Sequence, residues 1–344
     1  MINNHKIHLI GVPGSPYTRK MLALLRFRHI NHLVTWGQPL NILKKNNIEP
    51  PKPVLLPVCL FEGDEGVIAK CDSTPIIRDL ENDFTERSVI PSNPVLSFLN
   101  YLIEDFADEW VTKYMFHYRW HFKKDINNAG DWLPFLYGTN TDQETYSTLR
   151  DYIVDAQTSR LWVVGSNETT APIIEASYLR ILGILEKILA KQSFLFGDRP
   201  SSADFGIFGQ LTQLVNVDPT SRALAEKQSM RTVAWVDLME DLSGISNNTQ
   251  WMKPESVQPI LNDLLIEIGK TYVPAMLANA EAISANQDTW SNQICGSDWS
   301  QKTFPYQAKC LNWVREEFNR LNQEDKNLAV SLLKDTGCEN LFKE

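Results

Sequence analysis

The first residue with chemistry to offer is Ser15. It lies in Gly11-Val-Pro-Gly14-Ser15-Pro16, where two glycines and two prolines in six residues force a turn. The apolar stretch His8-Leu9-Ile10 precedes it, as a short buried strand does, and Met21, Leu24, Leu25 and Arg28 follow at helical spacing. Pro16 suits a first helical turn because it has no N–H to lose there. The Ser15 hydroxyl is therefore expected beside the free N–H groups of a helix start, a place that favours anions such as thiolates and carboxylates. A serine here also reads simply as an N-cap. A nucleotide loop does not fit: no Lys-Ser or Lys-Thr follows Gly14, and G-x-G-x-x-G is absent.

Other reactive residue types give weaker signals. His117 and His121 stand four apart, a spacing that can hold zinc on a helix, but Tyr118 occupies the place of the metalloprotease glutamate. Surface or stacked imidazoles are the simpler reading, and no metal is expected. The five cysteines (59, 71, 295, 310 and 338) are scattered without C-x-x-C, which fits reduced thiols in a cytoplasm and not a zinc site. Glu104, Asp105, Asp108 and Glu109 read as a solvated or cleft-facing stripe. Asn167-Glu-Thr and Asn247-Asn-Thr match the glycosylation pattern, which has no meaning in a cytosolic chain.

Three segments together resemble the glutathione transferase family. Ser15-Pro16-Tyr17-Thr18-Arg19 occupies the place of the C-P-Y-C of glutaredoxins, with Ser15 and Thr18 for the two cysteines. Leu55-Leu56-Pro57-Val58-Cys59-Leu60 resembles the strand that the family enters through a cis-proline, here Pro57. Asp72-Ser73-Thr74-Pro75-Ile76-Ile77 resembles the (Glu/Gln)-Ser-x-Ala-Ile segment that opens its next helix. A fourth match is Gly197-Asp198-Arg199-Pro200-Ser201-Ser202-Ala203-Asp204, similar to the segment that nucleates the buried central helix of the family's second domain.

The resemblance implies an α/β thioredoxin-like N-terminal domain followed by an all-α C-terminal domain. It implies glutathione as co-substrate and a small electrophile as its partner, and it is compatible with a homodimer. Such enzymes lower the cysteinyl thiol pKa and aim the thiolate. Ser15 takes the role of hydroxyl donor. Leu56 and Pro57 take the backbone contacts to the peptide's cysteine, and Asp72 and Ser73 hold its γ-glutamyl end. Two departures stand out: Asp72 is shorter than the usual Glu or Gln, and Leu55 replaces the lysine many members use for the glycyl carboxylate. Lys44, Lys45 and Lys52 are candidate substitutes. The electrophile is expected beside Tyr17 and beside Tyr114, His117 and Tyr118 of the second domain. Two other readings stay open: a fold-sharing protein that binds a partner without transferase activity, and a glutathione-dependent thiol oxidoreductase. The second lacks the thiolate that a mixed disulfide needs at position 15.

The elements that must position these residues follow in order. Strands are expected at His32–Thr35, Leu55–Phe61 and from Val67, with a tight turn at 62–66 and a loop over 37–53 with at most one helical turn. A helix capped by Asp72 or Ser73 runs to about Asn82. Residues 1–84 form the thioredoxin-like domain and 85–94 a linker. Residues 95–242 are all helical, with helices expected at 95–124, 141–163, 172–191, 205–215 and 233–242. Residues 243–344 exceed the family's usual length and read as a helical extension packed on the second domain. Its aromatic residues, Trp251 through Trp313, are too many for a disordered tail. Helices are expected over 257–283, with a break near Pro274, and at 309–322 and 327–334; a hairpin or ordered loop is expected at 295–306.

Composition bounds the rest. With 344 residues the chain is long enough for two or three domains, and 43% hydrophobic with 22% charged residues is an ordinary soluble balance. A net charge of −9 argues against a phosphate-gripping protein, so nucleic acid is not an expected partner. No run of about 18 apolar residues is present and no membrane partner is expected. The opening MINNHKIHLI lacks the features of a secretory signal.

Overall fold

The computed structural model describes residues 7–63, 66–246 and 250–343. The Asn247 glycosylation pattern and part of the 62–66 turn lie outside them. Strand β1 (Ile7–Gly11) leads through the turn into helix α1 (Pro16–Phe27). Then follow β2 (His32–Trp36), α2 (Pro39–Lys45), β3 (Val58–Gly63), β4 (Gly66–Cys71) and α3 (Ser73–Asp83). The sheet order is β2-β1-β3-β4, with β1 parallel to β2 and antiparallel to β3, and β3 antiparallel to β4. This is a thioredoxin-like arrangement. Strand alternation sorts its two faces. Leu9 and Cys59 join the core beneath α1 and α3, while Ile10, Val58 and Leu60 pack with Leu43 of α2 on the other face. Helix α2 fills part of a stretch expected to be mostly loop. Pro39 opens it at the first helical position, and Leu43 buries its one apolar face.

The chain then becomes helical. Helix α4 (Pro94–Phe106) passes through a π turn (107–111) into α5 (Thr112–His121), followed by α6 (Lys123–Trp132). The single helix expected over 95–124 is therefore interrupted. The π turn is buried on several sides, with Asp108 and Trp110 both inside. A 3₁₀ turn (133–137) leads to α7 (Gln143–Thr158), α8 (Ala171–Leu189), α9 (Ser202–Asn216), α10 (Pro219–Gln228) and α11 (Met230–Met239). Helix α10 was not expected from periodicity; only Ser221 and Ala225 of it are buried, too small an apolar stripe to read. Helix α9 is buried from Ser202 to Val215 and begins with a reciprocal capping box between Ser201 and Asp204. It packs on α1 closely enough that a Cβ on Gly209 would lie 2.5 Å from the Pro16 carbonyl oxygen. Only glycine allows that approach.

Residues after 250 form α12 (Val257–Lys270), α13 (Tyr272–Ser284), the hairpin β5 (Thr289–Ile294) and β6 (Ser297–Lys302), α14 (Pro305–Asn319) and α15 (Gln323–Leu333). Helices α12 and α13 part at Thr271, three residues before Pro274. These elements share the main core. Phe98 of α4 meets Phe318 and Phe342 with ring centroids 5.4 and 5.7 Å away, and Trp110 meets Trp299 at 5.3 Å. Arg180 and Ser177 of α8 both bond Glu267 of α12.

Truncation after Leu242 exposes Phe98, Trp110 and the α8 face together. The expected product is insoluble or melts without a cooperative transition, tested by expression and circular dichroism. A soluble product with unchanged melting temperature would refute the shared core.

Candidate functional site

Register brings the expected site residues to one end of the sheet. Val58 pairs with Ile10 and with Cys71. Pro57, just before Val58, therefore lies between the loop leaving β1 and Asp72, which follows β4. The Leu56–Pro57 peptide is cis. Ser15 caps α1: its Oγ accepts from the Thr18 N–H at 3.3 Å, and the residue is 7% exposed. A capping serine accepts with a lone pair, so its O–H stays free to donate. Asp72 caps α3, accepting from the Thr74 N–H at 3.3 Å. It does so at φ 79°, a conformation that costs a non-glycine residue on the order of 1–3 kcal/mol. Ser73 is buried at the start of the same helix, Leu56 is half-buried and Leu55 is exposed.

Beneath these helix starts lies a cluster of charges. Lys20, 1% exposed, donates to Glu104 at 2.8 Å and to Asp108 at 2.6 Å. Thr74 donates to the same two carboxylates at 3.1 and 3.2 Å, and Arg78 reaches Glu104 at 2.5 Å. Ser202 of α9 completes the Glu104 shell at 2.6 Å. The acidic stripe expected to be solvated or to face a cleft is thus largely buried. Cations from α1 and α3 make that burial tolerable. Lys20 itself was missed. Its signal was a lysine on the Tyr17, Lys20, Leu24 edge of an otherwise apolar helix face.

Burial pulls the acids apart in pKa. It works against Glu104 too, but Arg78 and Lys20 hold that carboxyl down to about 2. Burial pushes Asp108 up to about 6 against the pull of Lys20, and Glu109 up to about 7 against a hydrogen bond from Gln307. Asp105 is raised by burial and by neighbouring Glu109, while Tyr272 of α13 donates to it.

The aromatic candidates separate. Tyr17 donates to the Asp108 carbonyl at 2.7 Å, which tethers α1 to the π turn. Tyr114, His117 and Tyr118 are at most 1% exposed and do not face open space. The Tyr114 hydroxyl bonds Ser177, and His117 Nδ1 bonds Ser166. Burial pushes the His117 pKa down to about 3, so its 3.4 Å approach to Glu175 joins a neutral ring to the carboxylate. His117 stacks on His121 at 4.5 Å. Other residues do reach the Ser15 turn: Arg119 donates to the Gly14 carbonyl at 3.0 Å and Gln213 to the Pro13 carbonyl at 3.2 Å. A Cβ on Gly14 would lie 2.7 Å from Leu133 and 2.9 Å from Leu136, with Trp132 at 3.5 Å. All three of those side chains are half-buried. Cys71 donates to the Pro53 carbonyl at 3.1 Å, and burial raises its pKa, which disfavours the reactive thiolate.

Two variants test the charge cluster. Lys20→Met leaves Glu104 and Asp108 short of a buried partner and is expected to cost about 3–5 kcal/mol in urea unfolding at neutral pH; a loss under about 1 kcal/mol would refute the burial of the pair. Glu109 titrates higher folded than unfolded, so its contribution is full below about pH 4.3 and is lost as pH rises through about 7. The wild-type urea midpoint should therefore fall relative to that of Glu109→Gln between about pH 5 and pH 8, and a pH-independent difference contradicts it.

Residues 156–246 match the family model described as glutathione S-transferase, C-terminal domain. No curated protein matches the sequence. Solved structures similar to the chain include the beta-etherase LigF from Sphingobium sp. strain SYK-6, at 17% identity and TM-score 0.44 over 68% of this chain and 94% of that one. A GST-like protein from Pseudomonas syringae matches at 16% identity and TM-score 0.44, over 73% and 72%. A glutathione transferase family member from Pseudomonas fluorescens pf-5, with two glutathione bound, matches at 11% and 0.40, over 69% and 89%. Residues 156–246 thus match a glutathione S-transferase C-terminal domain, with a four-stranded thioredoxin-like sheet before them and further helices after them.

Proposed function

We propose that the chain binds glutathione at the end of the sheet where β1, β3 and β4 converge, and transfers its thiol sulfur to a small electrophile. The observation that carries this reading is Ser15: buried, capping α1, with its O–H free to donate. The peptide thiol gives its proton to solvent. The resulting sulfur anion accepts the Ser15 hydrogen bond beside the α1 N-terminus, then forms a C–S bond to the electrophile; the electron pair of the bond broken there departs with a leaving group as an anion or, in an addition, moves onto the acceptor, which takes a proton from solvent. Leu56 and Pro57 offer the extended backbone for the cysteinyl unit, and Asp72 with Ser73 the γ-glutamyl end. Trp132, Leu133 and Leu136 offer an apolar wall next to Ser15, which favours an electrophile with an apolar body. The exposed Lys44, Lys45 and Lys52 are the cations available to a glycyl carboxylate, since Leu55 has none to give.

Calorimetry with glutathione should give binding at millimolar concentration or below. Ser15→Ala should leave that affinity little changed and lower turnover of a model electrophile about 10²–10³-fold. No binding at millimolar glutathione overturns the reading. Binding without any Ser15 dependence moves the anion-stabilising role to backbone N–H groups.

A further inference from the structure

The C-terminal extension reaches back onto the proposed peptide site at one atom pair. Tyr306, at the start of α14, donates its hydroxyl hydrogen to Asp72 Oδ2. Asp72 Oδ1 is already taken by the Thr74 N–H. Both oxygens of the carboxylate assigned to the γ-glutamyl ammonium are thus engaged from within the chain.

The attachment of this segment is uneven. Asn279 of α13 holds the Phe304 backbone from both sides, accepting from its N–H at 2.8 Å and donating to its carbonyl at 3.0 Å. Helix α14 packs mainly on α4 and α13. Cys310 and Leu311 are buried there, whereas Phe304 and Lys309 are exposed and Tyr306 is half-buried. The Tyr306 ring rests on Phe304 and Trp313, both from its own segment, at 6.2 and 6.4 Å. The phenol can therefore leave Asp72 by a side-chain rotation while α13 and α14 stay packed.

We propose that Tyr306 is an internal competitor for the peptide site, a latch that the ammonium of the incoming γ-glutamyl group must displace from Asp72. The inference rests on the glutathione reading above. A neutral phenol offers the carboxylate one hydrogen bond, whereas an ammonium adds to its hydrogen bond the attraction of opposite charges. The exchange therefore runs toward the peptide and lowers its apparent affinity by the cost of opening the latch. A ligand with the same thiol but no ammonium has nothing to offer Asp72 in return. Such a thiol can bind with Tyr306 still on Asp72, so the latch weighs on γ-glutamyl thiols alone.

Tyr306→Phe keeps the ring and removes the hydroxyl. Calorimetry should show glutathione binding about ten- to a hundredfold tighter than to the wild type, the worth of one hydrogen bond to a charged group. The deaminated analogue, glutaryl-cysteinyl-glycine, should gain less than glutathione does. Equal or weaker glutathione binding by the variant overturns the latch and leaves the peptide site standing. Absence of binding by both proteins overturns the peptide site itself and the latch with it. Should the variant melt, the ring NMR signals of Tyr306 in the wild-type chain decide: saturating glutathione should shift them, and unshifted signals with glutathione bound refute displacement.

Discussion

Lys20 is the charge on which the rest of the arrangement depends. Its ammonium is buried, and so are the two carboxylates it meets, Glu104 and Asp108. Neither side can be left alone in that environment without a large desolvation cost. Helix α1 is therefore held against the α4–π turn junction in one position. Ser15 precedes Lys20 by five residues, about 7–8 Å along a helix axis. Thr74 bonds the same two carboxylates and stands two residues after Asp72. One ionic cluster thus sets the positions of both helix starts at the proposed site.

The helix that carries the acids is buried on nearly every side. Asp108, four residues after Glu104, lies next to it on one helix face. Trp110 enters the core from another face and meets Trp299. Tyr17 ties α1 to the π turn through the Asp108 carbonyl. Acids so close together cannot all ionise alike. Glu104, with two cations, stays charged far below neutrality, while Asp108 and Glu109 are raised toward it.

The extension after residue 250 takes part in the same core through Tyr272, Trp299, Phe318 and Phe342. Lys113 shows how closely it is joined. Its ammonium lies between the Trp110 and Trp299 rings, 5.5 Å from each, and donates to Gln301 of the hairpin. Burial lowers its pKa to about 8. The extension also forms part of the wall of the proposed site, where Tyr306 meets Asp72.

Local residue chemistry was sufficient for much of this. Two glycines and two prolines around Ser15 dictate a turn and a helix start wherever the segment lies. Asp72 and Ser201 are capping residues by type, and period-2 and period-3.6 patterns placed most strands and helices. What the sequence could not decide depends on partners distant along the chain. Glu104 and Asp108 look solvated until Lys20, 84 and 88 residues away, is brought beneath them. Tyr114, His117 and Tyr118 look cleft-facing until α8 covers them, and Leu133 and Leu136 look unremarkable until they close on Gly14. The contact between Tyr306 and Asp72 spans 234 residues. No periodicity or spacing carries such a pairing, because it is created only when the sheet, the helices and the residues after 250 pack on one core.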